Sequence, residues 1–147
     1  MDIAKALDGK KYKVYYQKAD LSWARLCIIE TKTLTESTTF GEYMAPDCDD
    51  PDLPPWRRSY AVGQQWSVQV AGIMDPAKFA TLRTLKRANE PVNVRMVEDV
   101  ALADGGGYDE GLVFFESLEK TSQNRGPVSF SATLRGEAEL VWHAAAA

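Results

Sequence analysis

The chain has very little of what several classes of protein depend on. Among its 147 residues there are one histidine and two cysteines, and its net charge is −4. A nucleic-acid-binding surface needs basic residues to contact phosphates, so this acidic balance disfavours one. No run approaches the roughly 20 apolar residues needed to cross a bilayer. Composition therefore argues against a nucleic-acid-binding protein and against a membrane-spanning one.

Catalytic constellations are also missing from the sequence. The single histidine, His143, lies near the C-terminus and has no visible partner for acid–base chemistry. No serine stands in a nucleophile elbow, so a Ser–His–Asp triad cannot be assembled. The sequence therefore predicts no catalytic residue, no enzyme activity and no cofactor.

Cysteines and carboxylates give only weak signals for a metal site. Cys27, in an apolar run, and Cys48, in a polar loop, lack the spacing of a zinc or redox pair. The charged N-terminus is unlike a secretory signal, so we expect folding in a cytoplasm, where a disulfide between them is disfavoured. One carboxylate cluster could hold calcium but has no glycine turn or distal glutamate at calcium-loop spacing, and we interpret it as a solvated acidic loop. Its members are Asp47, Asp49, Asp50 and Asp52.

The clearest pattern is a strand, a helix and a second strand in direct succession over residues 64–98. Apolar and polar residues alternate up to residue 74, as in a strand with one packed face. Asp75 and Pro76 then suit the cap and the first position of a helix. Asn89 suits its end, and the alternation resumes after it.

Most of the remaining chain has strand patterns. Strands are predicted at residues 11–17, 23–33, 112–119, 127–135 and 138–142. The first two are expected to pair as a hairpin, and Leu112, Phe114 and Leu118 are expected on one face. We predict a single domain over residues 1–147 with a disordered tail at residues 143–147. Its class is mainly β (α+β), an antiparallel β-sandwich or barrel with one flanking α-helix.

No regular element is predicted between residues 36 and 59, which we interpret as a long inter-strand arm. Loops this long are usually functional or disordered, and large apolar groups disfavour a purely solvated linker. Four prolines would lower the entropy lost when such an arm docks. We favour docking on a partner subunit; the alternative packs the same aromatics onto their own domain. The predicted inter-subunit residues are Phe40, Tyr43, Met44, Leu53, Trp56, Arg57 and Arg58.

Two surfaces remain to be assigned. The helix carries Lys78, Arg83, Lys86 and Arg87, which could touch an acidic partner but are more simply a solvated face. The outward faces of the two clearest strands are polar and almost uncharged, which suits a water-filled lumen past which a charged polymer slides. The alternative is a plain exposed face that lacks charge. The candidate lumen-facing residues are Ser67, Gln69, Ser129, Ser131 and Thr133.

The order of these parts resembles that of the major tail tube proteins of long-tailed bacteriophages and related gene-transfer particles. The likeness is carried by "GQQWSVQVAGIMDPAKFATLRTL", "PVNVRMVED", "GLVFFESLEK" and "GPVSFSATLRGEAEL", from Gly63 to Leu140. The segment "GKKYKVYYQ" agrees more loosely. The arm "TTFGEYMAPDCDDPDLPPWRRSY" departs from the family pattern because it is richer in Pro and Asp.

The resemblance implies a structural virion protein, a tail tube subunit that self-assembles into stacked hexameric rings forming the hollow conduit for genome DNA. Inner sheets would join edge to edge across subunits, and the helix would lie outside. The implied partners are further copies of the chain and other tail proteins such as the tape measure and the terminator. DNA would pass through the lumen without specific binding, and no membrane would be involved. The implied location is the virion tail, with assembly in the host cytoplasm.

Two alternatives stand beside this function. One is a monomeric β-sandwich binding module for calcium or carbohydrate, using the acidic loop and Trp56. The other is a different tail protein, such as a tail terminator, which would form single rings rather than stacks.

Overall fold

The computed structural model of the chain describes residues 4–26 and 29–146. Within these residues there are seven β-strands and one α-helix. The strands are β1 (Tyr12–Gln17), β2 (Trp23–Arg25), β3 (Ile29–Ala45), β4 (Trp56–Ile73), β5 (Val92–Glu98), β6 (Gly107–Thr121) and β7 (Ser129–Ala144). The helix α1 (Pro76–Ala88) lies between β4 and β5 in the chain.

All the strands belong to one sheet, in the order β2-β1-β5-β6-β7-β4-β3. Every neighbouring pair is antiparallel. The sheet curls over its apolar face, so that its two edges approach each other. The Lys32 ammonium of β3, at one edge, donates a hydrogen bond to the Tyr12 carbonyl of β1, near the other edge. The predicted fold class, a mainly β sandwich or barrel with one flanking helix, is confirmed.

The core fills the inside of this curl, and α1 covers one part of it. The predicted alternation in β4 and β7 is confirmed, because Val68, Val70 and Leu134 are almost completely buried. From α1, Phe79 is fully buried and packs edge-on against the Phe130 ring at a centroid distance of 5.5 Å. Burying a side chain of this size contributes roughly 1.5–3 kcal/mol.

The ends of α1 are as the sequence predicts. The Asp75 carboxylate accepts a hydrogen bond from the Ala77 amide at 3.1 Å, and Pro76 occupies the first helical position. Asn89 ends the helix in the left-handed conformation, at φ 55°. An asparagine adopts this conformation more readily than most residues, which explains the stop at this point.

The prediction that residues 36–59 lack regular structure is wrong. Strands β3 and β4 form one long hairpin that stays paired as far as Ala45 and Trp56, so only residues 46–55 are a loop. The predicted second strand, residues 23–33, divides between β2, which pairs with β1 as expected, and the start of β3. Cys27, in that segment, lies outside the described residues.

Two further predictions need correction. In β6, Val113 and Phe115 are buried, while Leu112 is 41% exposed. A register shift after Phe115 then changes the phase of the strand and returns Leu118 to the core side. At the C-terminus, β7 continues through His143, which pairs with Tyr108, to Ala144. The predicted disordered tail is therefore wrong for residues 143 and 144, and Ala147 lies outside the described residues.

Candidate assembly surface

The distal part of the hairpin formed by β3 and β4, residues 36–65, is called the ribbon below. Nearly all of its residues are exposed, so neither of its faces packs against the core. The strand from Trp66, in the core, to Trp56, at the distal end, spans about 33 Å at the usual rise per residue. A two-stranded hairpin alone is marginally stable in water. The ribbon is therefore an element whose side chains lack packing partners within the chain.

One face of the ribbon is aromatic. Strand register places Tyr43, Tyr60 and Trp56 on the same side, because Tyr60 lies opposite Gly41 and Trp56 opposite Ala45. The rings of Tyr43 and Tyr60 are 6.3 Å apart, and Trp56 is 81% exposed. Single exposed apolar residues are common, whereas three exposed rings in a row on one strand pair make this face a candidate interaction surface.

The opposite face of the ribbon is also partly apolar. Phe40 and Met44 are exposed there, beside an exposed ion pair in which Arg57 Nη1 is 3.7 Å from Glu42 Oε1. All seven predicted inter-subunit residues are exposed on the ribbon or its loop. The alternative in which the aromatics pack onto their own domain is not what the structure shows.

The acidic loop at the end of the ribbon uses two of its carboxylates to shape its own turn. Asp47 Oδ1 accepts hydrogen bonds from the amides of Asp49, at 2.9 Å, and Asp50, at 3.4 Å. Asp50 Oδ1 accepts one from the Asp52 amide at 3.3 Å. Across residues 4–26 and 29–146, no group of three or more His, Cys, Asp or Glu side chains is arranged to hold a metal ion.

The five candidate lumen-facing residues lie on one outward face of β4 and β7. Gln69 is directly opposite Thr133, and β3 and β6 extend the same face with Thr33 and Ser117. These four strands enclose a shallow depression of about 260 Å³, and most of the residues that line it are threonine, serine or glutamine. Glu119 also lines it, and Arg135 lies opposite Ser67 on the same face, so the face is not uncharged throughout.

A second cluster, formed by side chains from β2, β5, β6 and β7, was not predicted from the sequence. The Arg95 guanidinium lies 3.9 Å from the Trp23 ring centroid and 4.5 Å from that of Tyr108. Its Nε is 3.2 Å from Glu110 Oε1, and His143 Nε2 is 3.4 Å from Glu110 Oε2. These residues come from four different strands, so only the register of the sheet brings them together.

Acidic groups converge near Tyr12, where the two edges of the curled sheet approach each other. Burial, followed by the negative charges of Asp109, Glu98 and Glu36, raises the pKa of Tyr12 to about 12. Burial and then Glu36 and Glu98 also raise the pKa of Asp109 above its ordinary value. These carboxylates are close enough to disfavour one another's charge.

The α-helix has 13 residues, and no helix within residues 4–26 and 29–146 has the length and apolar character required to cross a membrane.

The fold is that of tail components of phages and phage-like particles. No family model and no curated protein matches the chain. Among solved structures, the tail of an empty gene transfer agent particle, refined with C6 symmetry, has a TM-score of 0.77 at 14% identity, covering 95% of this chain and 100% of that one. The tail tube of SPP1 has a TM-score of 0.64 at 16% identity, covering 92% and 78%.

The third similar structure is a baseplate. The six-fold symmetrised baseplate of the anti-feeding prophage has a TM-score of 0.60 at 9% identity, covering 97% of this chain and 98% of that one. None of these three structures is described as an enzyme. At such identities the likeness establishes a shared fold, and at that level the resemblance predicted from the sequence is confirmed.

Proposed function

We propose that this chain is a tail tube subunit, a structural virion protein that self-assembles into stacked hexameric rings forming the hollow conduit for genome DNA. The observation that carries the proposal is the ribbon, which exposes aromatic and apolar side chains on both faces of a fold shared with tail proteins. The ribbon binds a neighbouring copy. Burial of side chains as large as Trp56 supplies the free energy that offsets the entropy lost on association.

Six copies in a ring are supported by two of the comparisons. The gene transfer agent tail was refined with C6 symmetry, and the anti-feeding prophage baseplate is six-fold symmetrised. In a ring, neighbouring sheets join edge to edge, which covers the exposed edge of β3. The helix then lies on the outside of the tube.

The neutral polar face of β3, β4, β6 and β7 is the wall of the lumen. Hydroxyl and amide groups hydrate well and present no array of positive charge to phosphates. DNA therefore passes without specific binding, and the acidic balance of the chain, with a net charge of −4, weakens adhesion further. The lumen-facing side chains are Ser67, Gln69, Ser129, Ser131 and Thr133.

The remaining elements of the proposal follow from this role. The partners are other copies of the chain and further tail proteins, such as the tape measure and the terminator. The location is the virion tail, and assembly takes place in the host cytoplasm. The function requires no cofactor and no catalytic residue.

Electron microscopy of the purified protein tests the proposal directly. Negative-stain images across a concentration series, together with sedimentation profiles, are expected to show six-fold rings and hollow tubes above a threshold concentration. A protein that stays monomeric at every concentration would overturn the proposal.

The orientation of the polar face has its own test in assembled tubes. In a Cys27→Ser/Cys48→Ser background, Ser131→Cys and, as the matched control, Lys78→Cys are biotinylated before assembly. Streptavidin is expected to decorate Lys78→Cys tubes along their walls and Ser131→Cys tubes only at their open ends. Decoration of the walls in both variants would place the polar face outside.

A terminator-like ring protein is the second candidate, because the fold also occurs in a baseplate structure. Such a protein forms single rings that do not stack, so the same images separate the two functions. A calcium-binding module is less well supported, since Asp47 and Asp50 already cap the turn of the acidic loop.

A further inference from the structure

Four basic residues surround a shallow cleft between α1 and β6, called the basic cleft below. It has a volume of about 150 Å³, and Phe79 and Leu118 also line it. Its basic residues are Arg83, Lys86, Arg87 and Lys120. None of the ion pairs within residues 4–26 and 29–146 includes any of the four. The cleft therefore concentrates positive charge that has no ion-pair partner within the described part of the chain.

The cleft is formed before any partner arrives. The Arg83 guanidinium and the Lys120 ammonium each lie 5.6 Å from the centroid of the same fully buried Phe79 ring. Cation–π contacts of this kind restrict both side chains. The helix dipole accounts for Lys86 and Arg87 in the last turn but not for Lys120, which belongs to β6. Like charges held this close repel each other unless an anionic group binds among them.

The acidic loop, residues 46–55, has the opposite charge. It contains four aspartates and no Lys, Arg or His, and every residue in it is exposed. Asp47 and Asp50 cap the turn, while the carboxylates of Asp49 and Asp52 accept no hydrogen bond within the described residues. Two carboxylates thus point to solvent at the end of an element about 33 Å long.

We propose that the basic cleft of one copy binds the acidic loop of a second copy. The exposure of the whole loop shows that it does not occupy the cleft of its own domain. This inference rests on the proposed self-assembly and names where the end of the ribbon docks. Four positive charges meet four negative ones, which orients approaching subunits and rejects misaligned ones.

Charge reversal at each surface tests the pairing. Lys86→Glu/Lys120→Glu leaves the cleft with two positive and two negative charges but keeps Arg83 on Phe79. Asp49→Lys/Asp52→Lys leaves the loop with two negative and two positive charges but keeps its turn caps. Each double variant is expected to raise the protein concentration needed for assembly about tenfold or more, since attraction becomes repulsion at two positions.

Combining the four substitutions in one chain restores complementarity, because every copy carries both surfaces. The combined variant is expected to assemble within about threefold of the wild-type concentration. Lys10→Glu/Lys18→Glu, two exposed lysines outside both surfaces, is the matched control and is expected to assemble normally. Thermal melting of each variant shows that the domain remains folded.

Several results would overturn the inference. It fails if either double variant assembles like the wild type, or if the combined variant stays as poor as its parents. Short duplex DNA retained by wild-type protein and lost on reversal of the cleft, with assembly unchanged, would assign the cleft to nucleic acid instead. A wild-type protein that forms neither rings nor tubes would overturn the proposed function, and this inference with it.

Discussion

The Tyr60 ring lies directly across Gly41, its cross-strand partner in the ribbon, so that a Cβ added at Gly41 would overlap the ring. The absence of a side chain at Gly41 lets Tyr60 lie flat against the strands and reach Tyr43, 6.3 Å away between centroids. The aromatic face of the ribbon therefore depends on this one glycine.

Gly41→Ala is expected to impair assembly without unfolding the domain, because it displaces Tyr60 from the aromatic face. The assembly concentration should rise about tenfold, equivalent to about 1.4 kcal/mol, and the melting temperature should hardly change. Gly63→Ala is the matched control, since an added Cβ there meets no atom within 4 Å. Equal behaviour of the two variants in sedimentation would contradict the role given to Gly41.

Trp56 and Trp66 lie ten residues apart on the same strand and are expected to respond in opposite ways to truncation. Trp66 is 7% exposed and its Nε1 donates a hydrogen bond to the Ala138 carbonyl at 3.0 Å. Trp66→Ala should therefore lower the free energy of unfolding by about 3–5 kcal/mol. Trp56→Ala should change it by less than about 0.5 kcal/mol and yet block polymerisation.

Chemical denaturation and electron microscopy of both tryptophan variants check this pair of outcomes. Global unfolding of the Trp56→Ala protein would place Trp56 in the domain core, against the exposure of its ring.

Asp109 is expected to destabilise the fold at neutral pH. Because its pKa lies above the ordinary 3.8, the folded chain binds this proton more tightly than the unfolded chain. Stability therefore falls as pH rises from 3.8 through the raised pKa. Asp109→Asn should stabilise the protein at pH 7 by roughly 0.5 kcal/mol, a modest value because solvent screens a partly exposed carboxylate.

Urea denaturation at pH 7, 5 and 3 measures this effect. The gain should shrink toward pH 3, where the wild-type carboxyl is protonated in both states. Asp49→Asn, at an exposed loop position, serves as the control and should show no such trend. A gain that is the same at all three pH values would point to packing rather than charge.

Loss of the helix cap should be measurable on its own. Asp75→Ala removes the acceptor for the Ala77 amide and is expected to cost about 1 kcal/mol of unfolding free energy. Asp75→Asn keeps an acceptor oxygen and should lose much less. Similar losses in both variants would show that charge at the helix N-terminus, and not the hydrogen bond, stabilises α1.

The elements that the sequence predicts well are those with one buried face. In β7, Phe130, Ala132 and Leu134 alternate with polar residues because only one side of the strand meets the core. The ribbon has no buried face, so its strands carry no alternation of apolar and polar residues and look like a loop. In β6, the register shift after Phe115 breaks the period that sequence reasoning assumes to be constant.

The candidate surfaces divide in the same way. Large aromatics in a proline-rich segment are visible in the sequence, so the residues that the ribbon exposes can be named from it. The cluster around Arg95 could not, because Trp23, Glu110 and His143 are far apart in the chain and meet only through strand pairing. The basic cleft likewise needs Lys120 from β6 beside the cations of α1.

Prolines set the length of the ribbon. Pro46 and Pro55 stand immediately beyond the last pair, Ala45 and Trp56, and a proline donates no amide hydrogen to a strand ladder. Inserting two residues in each strand would lengthen the ribbon by about 7 Å and keep every ring on its present side. Inserting one in each would turn Trp56 to the opposite side. In the proposed assembly, the distance over which the ribbon of one copy reaches another therefore changes in steps of one residue pair, and only steps of two pairs keep the aromatic face intact.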